Sequence, residues 1–206
     1  VQQTWSQFDR DIDICVIPNG VNLASYQHLA NSDAFREKYG LGDAQVILFM
    51  GRLHQRKGVD VLAQAFQQAN LPNTKLLFVG PDEGMQSTIK ALDNEYIILT
   101  GFLEGDDRLA AFASADLFVL PAIGEGLSMA ALEAMASGIP VLLSEGCNLP
   151  ESVSAGAGYI IPIDAAEIAD SLVSVLADTD KLSQIGRNAQ QLIAEQFTWD
   201  TIAQQM

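Results

Sequence analysis

A short basic turn is the first segment of the chain whose residue types could do chemistry. It spans residues 51–58, follows an apolar run at residues 46–50, and contains three of the 11 Lys and Arg residues, namely Arg52, Arg56 and Lys57. Arginine offers a planar fork of donors to phosphate oxygens, and lysine offers a compact point charge. The turn therefore predicts a site for a small anion, with a solvated turn that binds nothing as the alternative.

A second candidate segment spans residues 121–138 and follows the apolar run at residues 117–120. The sequence predicts a helix over residues 126–137 that ends at Gly138, because glycine readily takes the left-handed conformation that terminates helices. The first N–H groups of a helix have no intrahelical partner and bear partial positive charge, so they attract phosphate. Glu125 would lie at this end of the helix.

Glu133 lies within this predicted helix among Ala, Leu and Met residues, which indicates a buried carboxylate. Burial of a carboxylate without a hydrogen-bonding partner is costly or raises its pKa. The partner could be the ribose hydroxyls of a ligand, an arginine, or backbone N–H groups. A purely structural role, in which Glu133 caps a neighbouring turn, is an equal alternative.

Two further segments give weaker signals. Residues 100–103, TGFL, follow another apolar run and could present backbone groups and the ring of Phe102 to a nucleotide base. Residues 17–22, IPNGVN, contain Asn-Gly after proline, which by spacing alone predicts only a turn.

The elements that must position these residues follow from the hydrophobic pattern. Short, mostly continuous apolar runs are typical of strands buried on both faces of a parallel sheet. Stretches with helical spacing separate them, and this alternation predicts an α/β fold with a doubly wound, Rossmann-like parallel sheet. The predicted strands are residues 12–17, 46–50, 76–79, 96–99, 117–120, 140–143 and 159–161. Ligands of such sheets bind beyond the carboxyl ends of the strands, where the candidate segments lie.

The tail of the chain has a different pattern. From residue 165 onward it is helical, with a break near residues 197–200. Thr198 or Asp200 could cap a last helix there.

Charge and composition exclude several classes of function. The formal net charge of −15 argues against a nucleic-acid partner, because phosphate backbones bind basic surfaces. No apolar run approaches the roughly 18–20 residues of a membrane-spanning helix, so no transmembrane segment is predicted. No cluster of Asp and His residues suggests a metal site, and no G-x-G-x-x-G motif suggests a dinucleotide dehydrogenase.

Taken together, these motifs resemble the retaining glycosyltransferases of family 4, which have the GT-B architecture of two Rossmann-like domains. The matching segments read IPNGVN, GRLHQRKG, LLFVG, TGF and EGLSMAALE, and the resemblance runs from about residue 12 to the end of the chain. The most specific element is the pair Glu125 and Glu133 followed by AMASGIPV. One departure is the stretch EGCNLPE at residues 145–151, where the family often has a Gly-Gly pair before Ile/Leu-Pro-Glu. The backbone of this loop could therefore differ from that of the family.

The resemblance implies a role for each candidate residue. Arg52 and Lys57 would bind the donor diphosphate and stabilise the leaving group. Glu125 would contact hydroxyls of the transferred sugar, and Glu133 would bind the ribose hydroxyls. The remaining residues would lie along the nucleotide sugar, offering backbone groups or flanking the base: Gly20, Gly51, Phe102, Leu103, Gly126, Leu127 and Ser128.

The resemblance also implies a domain organisation. Residues 1–11 would lead in from an amino-terminal domain, residues 12–196 would form the nucleotide-sugar-binding domain, and residues 197–206 would form a closing helix that packs on the amino-terminal domain. That amino-terminal domain would bind the acceptor, a glycan or a lipid-linked sugar, so this chain alone is expected to be inactive. The implied location is cytoplasmic, peripheral to the inner membrane through the amino-terminal domain.

The expected reaction is transfer of a sugar from a UDP-, GDP- or ADP-linked donor with retained anomeric configuration. Neither a metal nor another cofactor is expected, because two cations and a helix end would stabilise the diphosphate. Three alternatives remain open. They are a phosphorylase or epimerase on the same architecture, a nucleotide-binding module that has lost catalysis, and a structural α/β domain without a ligand.

Overall fold

The fold is a single parallel sheet of six strands, seen in a computed structural model that describes residues 17–27, 29 and 31–204. The strands are β1 (Gln45–Met50), β2 (Thr74–Val79), β3 (Ile97–Gly101), β4 (Leu117–Leu120), β5 (Val141–Leu143) and β6 (Gly158–Ile160). Their order in the sheet is β3-β2-β1-β4-β5-β6, and every neighbouring pair is parallel. This confirms the predicted doubly wound α/β fold.

Helices connect the strands. In chain order they are α1 (Ala24–Gln27), α2 (Asp33–Lys38), α3 (Val59–Ala69), α4 (Gln86–Lys90), α5 (Gly105–Ala113), α6 (Met129–Ala136), α7 (Glu151–Ser154), α8 (Ala165–Leu176), α9 (Thr179–Gln196) and α10 (Trp199–Ala203). Two short 3₁₀ helices span Gln55–Lys57 and Glu145–Cys147. The apolar stripe of α3 faces the core as its spacing predicts, with Val59, Leu62 and Ala63 fully buried.

The predicted strands agree with the structure to within a few residues at their ends. The inner strands β1 and β4 are buried on both faces, which explains why their sequences are continuous apolar runs rather than alternating ones. The predicted strand at residues 12–17 lies outside the described residues except for Ile17, which is exposed and not in a strand. The predicted lead-in at residues 1–11 also lies outside the described part of the chain.

The predicted start of the helix after β4 is wrong by three residues. The helix α6 begins at Met129 rather than at Gly126, because Ser128 acts as its N-cap. The Ser128 hydroxyl oxygen accepts a hydrogen bond from the backbone N–H of Ala131 at 3.3 Å, whereas glycine has little tendency to join a helix. Residues 124–127 therefore form a loop. The other end agrees with the prediction, since Gly138 has φ +79° just after the helix.

The helical segment after residue 165 is interrupted twice. The interruption near residues 197–200 is predicted from the sequence, and the other is not. Thr198 caps α10 as expected, accepting from the Thr201 N–H at 3.1 Å, whereas Asp200 lies in the first turn of that helix. The missed break lies between α8 and α9, where the Asp178 side chain accepts from the Lys181 N–H at 2.9 Å. A capping aspartate inside a continuous helical pattern is easily overlooked.

The closing helix α10 packs on the segment around Gly20. Val21 pairs with Thr198 as an isolated parallel bridge, and its N–H donates to the Phe197 carbonyl at 2.8 Å. A Cβ atom at Gly20 would lie 2.8 Å from the Trp199 ring, so this contact requires glycine. Packing within this chain is therefore enough to explain why residue 20 is a glycine.

The strand order reverses direction between β1 and β4, which are neighbours in the sheet but distant in sequence. Their connections leave toward opposite sides, so a crevice opens beyond their carboxyl ends. The backbones of the loops that follow β1, β2 and β4 approach one another closely. A Cβ atom at Gly58 would lie 2.2 Å from the Pro121 carbonyl oxygen, and one at Gly80 would lie 1.9 Å from the Gly51 carbonyl oxygen. The candidate residues are therefore held on closely packed loops.

Candidate functional site

A cavity of about 410 Å³ lies beyond the carboxyl ends of β1 and β4. Its lining combines three cations, one histidine, two carboxylates and two glycines: Arg52, Arg56, Lys57, His54, Glu83, Glu125, Gly124 and Gly126. The basic turn after β1 and the loop after β4, predicted separately from the sequence, thus meet at one site.

Local geometry explains how the basic turn presents its cations. The turn forms a 3₁₀ helix over Gln55–Lys57, capped at its start by His54, whose Nδ1 accepts from the Arg56 N–H at 3.1 Å. At its end Gly58 takes the left-handed conformation, with φ +68°. Because a side chain there would meet Pro121, glycine both turns the chain and allows the loop after β4 to approach Lys57.

Lys57 and Glu125 form an ion pair in which both side chains are largely buried, at 18% and 16% exposure. The Lys57 ammonium donates to Glu125 Oε1. Removal of either partner would leave a largely buried charge without compensation, which is more costly than the loss of a surface ion pair. The two residues therefore belong to one unit at the floor of the cavity.

The loop after β5 fixes the backbone of Glu125. The Glu125 N–H donates to the Gly146 carbonyl at 2.7 Å, and the Asn148 side-chain amide donates to the Glu125 carbonyl. Asn148 has φ +51° and occupies the second position of the residue pair before Leu149, where the resemblance leads one to expect glycine. Asparagine tolerates this left-handed conformation, so the departure from Gly-Gly leaves a tight turn in place and adds a hydrogen bond.

Arg52 and Glu83 form a second ion pair at the rim of the cavity. The Arg52 guanidinium donates to both carboxylate oxygens at 3.0 Å, and its side chain is 63% exposed. Glu83 is not among the residues predicted from the sequence. It follows β2 in the same way that the basic turn follows β1, so the rule of inspecting the residue after each apolar run could have found it.

Glu133 lies on α6 with both carboxylate oxygens hydrogen-bonded by protein side chains. Tyr26 donates its hydroxyl to Oε1 at 2.9 Å, and the Arg108 guanidinium donates to Oε2. Of the partners that the sequence left open, an arginine is therefore present, together with a tyrosine. No sequence spacing pointed to Tyr26 or Arg108, because α1, α5 and α6 come together only in the fold.

The electrostatics of this cluster favour its hydrogen bonds. Burial raises the pKa of Tyr26, with a further contribution from the neighbouring Glu133 carboxylate, so the phenol remains protonated. Burial by itself lowers the pKa of Arg108, but its hydrogen bonds to Glu133 and Tyr26 outweigh this effect and the pKa is raised. Both side chains therefore act as donors to Glu133.

The structure brings together four of the candidate residues, Arg52, Lys57, Glu125 and Gly126, as cavity lining. Other candidates lie near the same sheet edge but outside the described lining of the cavity. Phe102 follows β3 and is 67% exposed, Leu103 is buried, and the Ser128 hydroxyl caps α6. Gly51, Leu127 and Glu133 also lie outside that lining, and Gly20 lies against Trp199.

The fold and sequence now define the class of protein. The sheet and its flanking helices have the Rossmann-like arrangement found in GT-B glycosyltransferases. The sequence profile of the family described as glycosyl transferases group 1 matches residues 31–192, which is more than half of the chain. The chain belongs to this family, and its resemblance to the carboxyl-terminal, donor-binding half is consistent with that match.

Individual relatives agree with this assignment. An uncharacterized glycosyltransferase from Methanocaldococcus jannaschii is 31% identical over 92% of this chain and 52% of its own length. A GDP-mannose-dependent monoacylated alpha-(1-6)-phosphatidylinositol monomannoside mannosyltransferase from Corynebacterium glutamicum is 29% identical over 92% of this chain and 54% of its own length. This chain thus spans about half the length of these curated relatives.

A solved structure is also similar. The HepE protein of Anabaena, crystallised in complex with UDP-glucose, has a TM-score of 0.80 and 27% sequence identity. The similarity covers 93% of this chain and 55% of that one. Among the described residues of this chain, no helix combines the length and the apolar character needed to cross a membrane.

Proposed function

We propose that this chain is the donor-binding half of a retaining glycosyltransferase that transfers a sugar from a nucleoside-diphosphate sugar to an acceptor. The observation that carries the proposal is the cavity beyond the carboxyl ends of β1 and β4, where an otherwise acidic protein gathers three cations against two carboxylates. A site with excess positive charge at a topological switch point suits a diphosphate. The relatives support the same conclusion, since HepE binds UDP-glucose and the mannosyltransferase depends on GDP-mannose.

In this proposal the basic turn acts on the leaving group. Negative charge grows on the diphosphate as the bond to the sugar breaks, and Arg52 and Lys57 would stabilise that charge. Because Lys57 is already held by Glu125, its ammonium would be positioned before the donor arrives. The start of α6 and the loop at residues 126–128 would add backbone N–H groups, and neither a metal nor another cofactor would be required.

Glu125 would bind hydroxyls of the transferred sugar, and Glu133 would bind those of the ribose. Phe102 and Leu103, after β3, would flank the base, and Gly20 and Gly51 would lie near the diphosphate. The reaction would retain the anomeric configuration, with a leaving phosphate oxygen accepting the proton of the acceptor. UDP, GDP and ADP remain equivalent choices for the nucleotide, since no described residue distinguishes the bases.

The acceptor would be bound by an amino-terminal half of the protein. The resemblance implies such a half, and the coverage of about half of each curated relative supports it. The acceptor would be a glycan or a lipid-linked sugar, consistent with the phosphatidylinositol mannoside named for the Corynebacterium relative. The proposed location is cytoplasmic, peripheral to the inner membrane through that half, with α10 packing on it.

The proposal is tested by titrating the 206-residue chain with UDP, GDP and ADP in a calorimeter. We expect saturable binding of one of them at one site. The Lys57→Ala chain should lose that binding. The matched control is Lys90→Ala, which changes an exposed lysine on α4 and should keep the binding. Absence of binding with all three nucleotides would contradict the proposal and favour a structural or degenerate domain.

A further inference from the structure

Glu133, Tyr26 and Arg108 form a closed cluster of three side chains. Glu133 accepts one hydrogen bond at each carboxylate oxygen, from Tyr26 and from Arg108. The third side of the triangle is a hydrogen bond from Arg108 Nη1 to the Tyr26 hydroxyl oxygen at 3.3 Å. The Glu133 side chain is only 12% exposed and that of Arg108 29%, so water competes little for these bonds.

The two donors are themselves held in place by one ring. The Arg108 guanidinium lies 5.3 Å from the centroid of the Phe112 ring, a cation–π distance. Tyr26 meets the same ring edge-on, with centroids 5.9 Å apart and an interplanar angle of 84°. Phe112 is fully buried, so it anchors both donors to the core.

Geometry leaves the carboxylate able to bind more. An ionised carboxylate has about four acceptor positions, and the described side chains use two of them. Two positions remain for a pair of hydroxyls, which is the requirement of a ribose. Without its two donors, the Glu133 side chain would be free to rotate away from this orientation.

We propose that Arg108 and Tyr26 are positioning residues that hold the Glu133 carboxylate in one orientation, so that it binds the two ribose hydroxyls of a nucleotide. This inference rests on the proposed function, because it assumes that a nucleotide binds with its ribose at Glu133. It predicts that the cluster contributes to recognition of the nucleoside but not of the diphosphate.

The experiment compares nucleotides with a ligand that has no ribose. The wild-type chain, Arg108→Met and Tyr26→Phe are each titrated with UDP, GDP, ADP and inorganic pyrophosphate. For Arg108→Met we expect affinity for the bound nucleotide to fall about tenfold, since a charged hydrogen bond is lost, with pyrophosphate affinity unchanged within about twofold. Tyr26→Phe should lower nucleotide affinity by a smaller factor, about threefold, and should also leave pyrophosphate affinity unchanged.

A double-variant cycle separates positioning from general stability. In a Glu133→Gln background, Arg108→Met should cause little further loss of nucleotide affinity, because both changes disable the same carboxylate. Arg108→Lys keeps the charge and should restore part of the affinity. The control is Arg187→Met, an exposed arginine on α9, which should bind nucleotide like the wild type.

The possible failures are distinguishable. If Arg108→Met or Tyr26→Phe binds nucleotide like the wild type, or loses pyrophosphate affinity to the same extent, this inference is wrong while the proposed function stands. If Arg108→Met shows no cooperative thermal unfolding, Tyr26→Phe and Arg108→Lys replace it in the test. Their loss of nucleotide affinity is then compared with their loss of pyrophosphate affinity. If the wild-type chain binds no nucleotide, both the inference and the proposed function are overturned.

Discussion

In the proposed mechanism Lys57 has two partners, a permanent one in Glu125 and a transient one in the leaving diphosphate. The permanent partner limits the motion of the largely buried ammonium. The electrostatic stabilisation of a leaving group is greatest when the cation needs no rearrangement at the moment of reaction. The ion pair thus prepares Lys57 for its proposed role.

Lys57→Ala in the full-length protein should lower turnover at least about a hundredfold, the usual effect of removing one donor that stabilises developing charge. Steady-state kinetics with a radiolabelled sugar donor would measure it. Lys90→Ala serves as the matched control and should retain full turnover. Unchanged turnover in Lys57→Ala would remove this residue from the mechanism.

Glu83 should oppose the binding of an anion. Its carboxylate lines the cavity and forms an ion pair with Arg52. The pair is largely exposed, so a diphosphate can displace it at little cost. Glu83→Gln should therefore tighten binding of the nucleotide about two- to fivefold. Calorimetry against Glu95→Gln, an exposed glutamate beside β3, would test this, and weaker binding by Glu83→Gln would mean that Glu83 helps rather than competes.

Single residues were predictable from the sequence where their position along the chain was informative. Arg52, Lys57 and Glu125 lie in the loops that follow β1 and β4, and the carboxyl ends of parallel strands meet at one edge. Tyr26 and Arg108 were not predictable, because their link to Glu133 depends on how three helices pack. Their roles in binding stay predictions, which the titrations of Arg108→Met and Tyr26→Phe test.

At the scale of elements, the site depends on the close approach of loops that follow different strands. Gly58 is one example, since its missing side chain leaves room for the Pro121 carbonyl. Packing of this kind fixes the distance between the basic turn and the loop that contains Glu125. A change in this backbone contact should therefore affect both folding and the site.

Gly58→Ala should lower the free energy of unfolding by about 2–4 kcal/mol, combining left-handed backbone strain with an atomic overlap. Gly42→Ala is the matched control, because Gly42 also has positive φ, +54°, but nothing lies within 4 Å of its Cβ position. That change should cost only about 1 kcal/mol. Urea unfolding of both variants measures the difference, and equal losses would show that the contact with Pro121 contributes nothing.

Elements were predicted well where hydrophobicity alone defines them and poorly where a polar side chain does. The inner strands β1 and β4 are apolar throughout, and their predicted positions match the structure. The start of α6 and the break before α9 are set by the caps Ser128 and Asp178. A capping residue cannot be told from other polar residues by its type alone, because it acts as a cap only where the backbone leaves the helical conformation.

At the scale of the whole molecule, the chain has a net charge of −15, yet three of its cationic side chains line one cavity at a sheet edge. Elsewhere its acidic groups are accommodated individually. Asp116, just before β4, accepts a hydrogen bond from the Val46 N–H at 2.7 Å. Burial raises the pKa of this carboxyl, although the hydrogen bond and the charge of Arg36 act in the opposite direction.

This raised pKa makes stability depend on pH with a definite sign. Because folding disfavours the ionised form of Asp116, its contribution to the free energy of unfolding is largest below about pH 4, the ordinary pKa of aspartate. The contribution is lost as pH rises through the higher pKa of the folded state. Relative to Asp116→Asn, the wild type should therefore lose stability between acidic and neutral pH. Urea unfolding of both proteins across this range tests it, and a constant or rising difference would contradict it.

The proposed function requires a diphosphate to bind between the basic turn after β1 and the loop that leads into α6. The most direct measurement is a crystal structure of the chain with the nucleotide that binds in calorimetry. We predict phosphate oxygens within hydrogen-bonding distance of the Lys57 ammonium and the Arg52 guanidinium, with the ribose hydroxyls at Glu133. A nucleotide bound elsewhere, with the cavity of about 410 Å³ empty, would contradict the account.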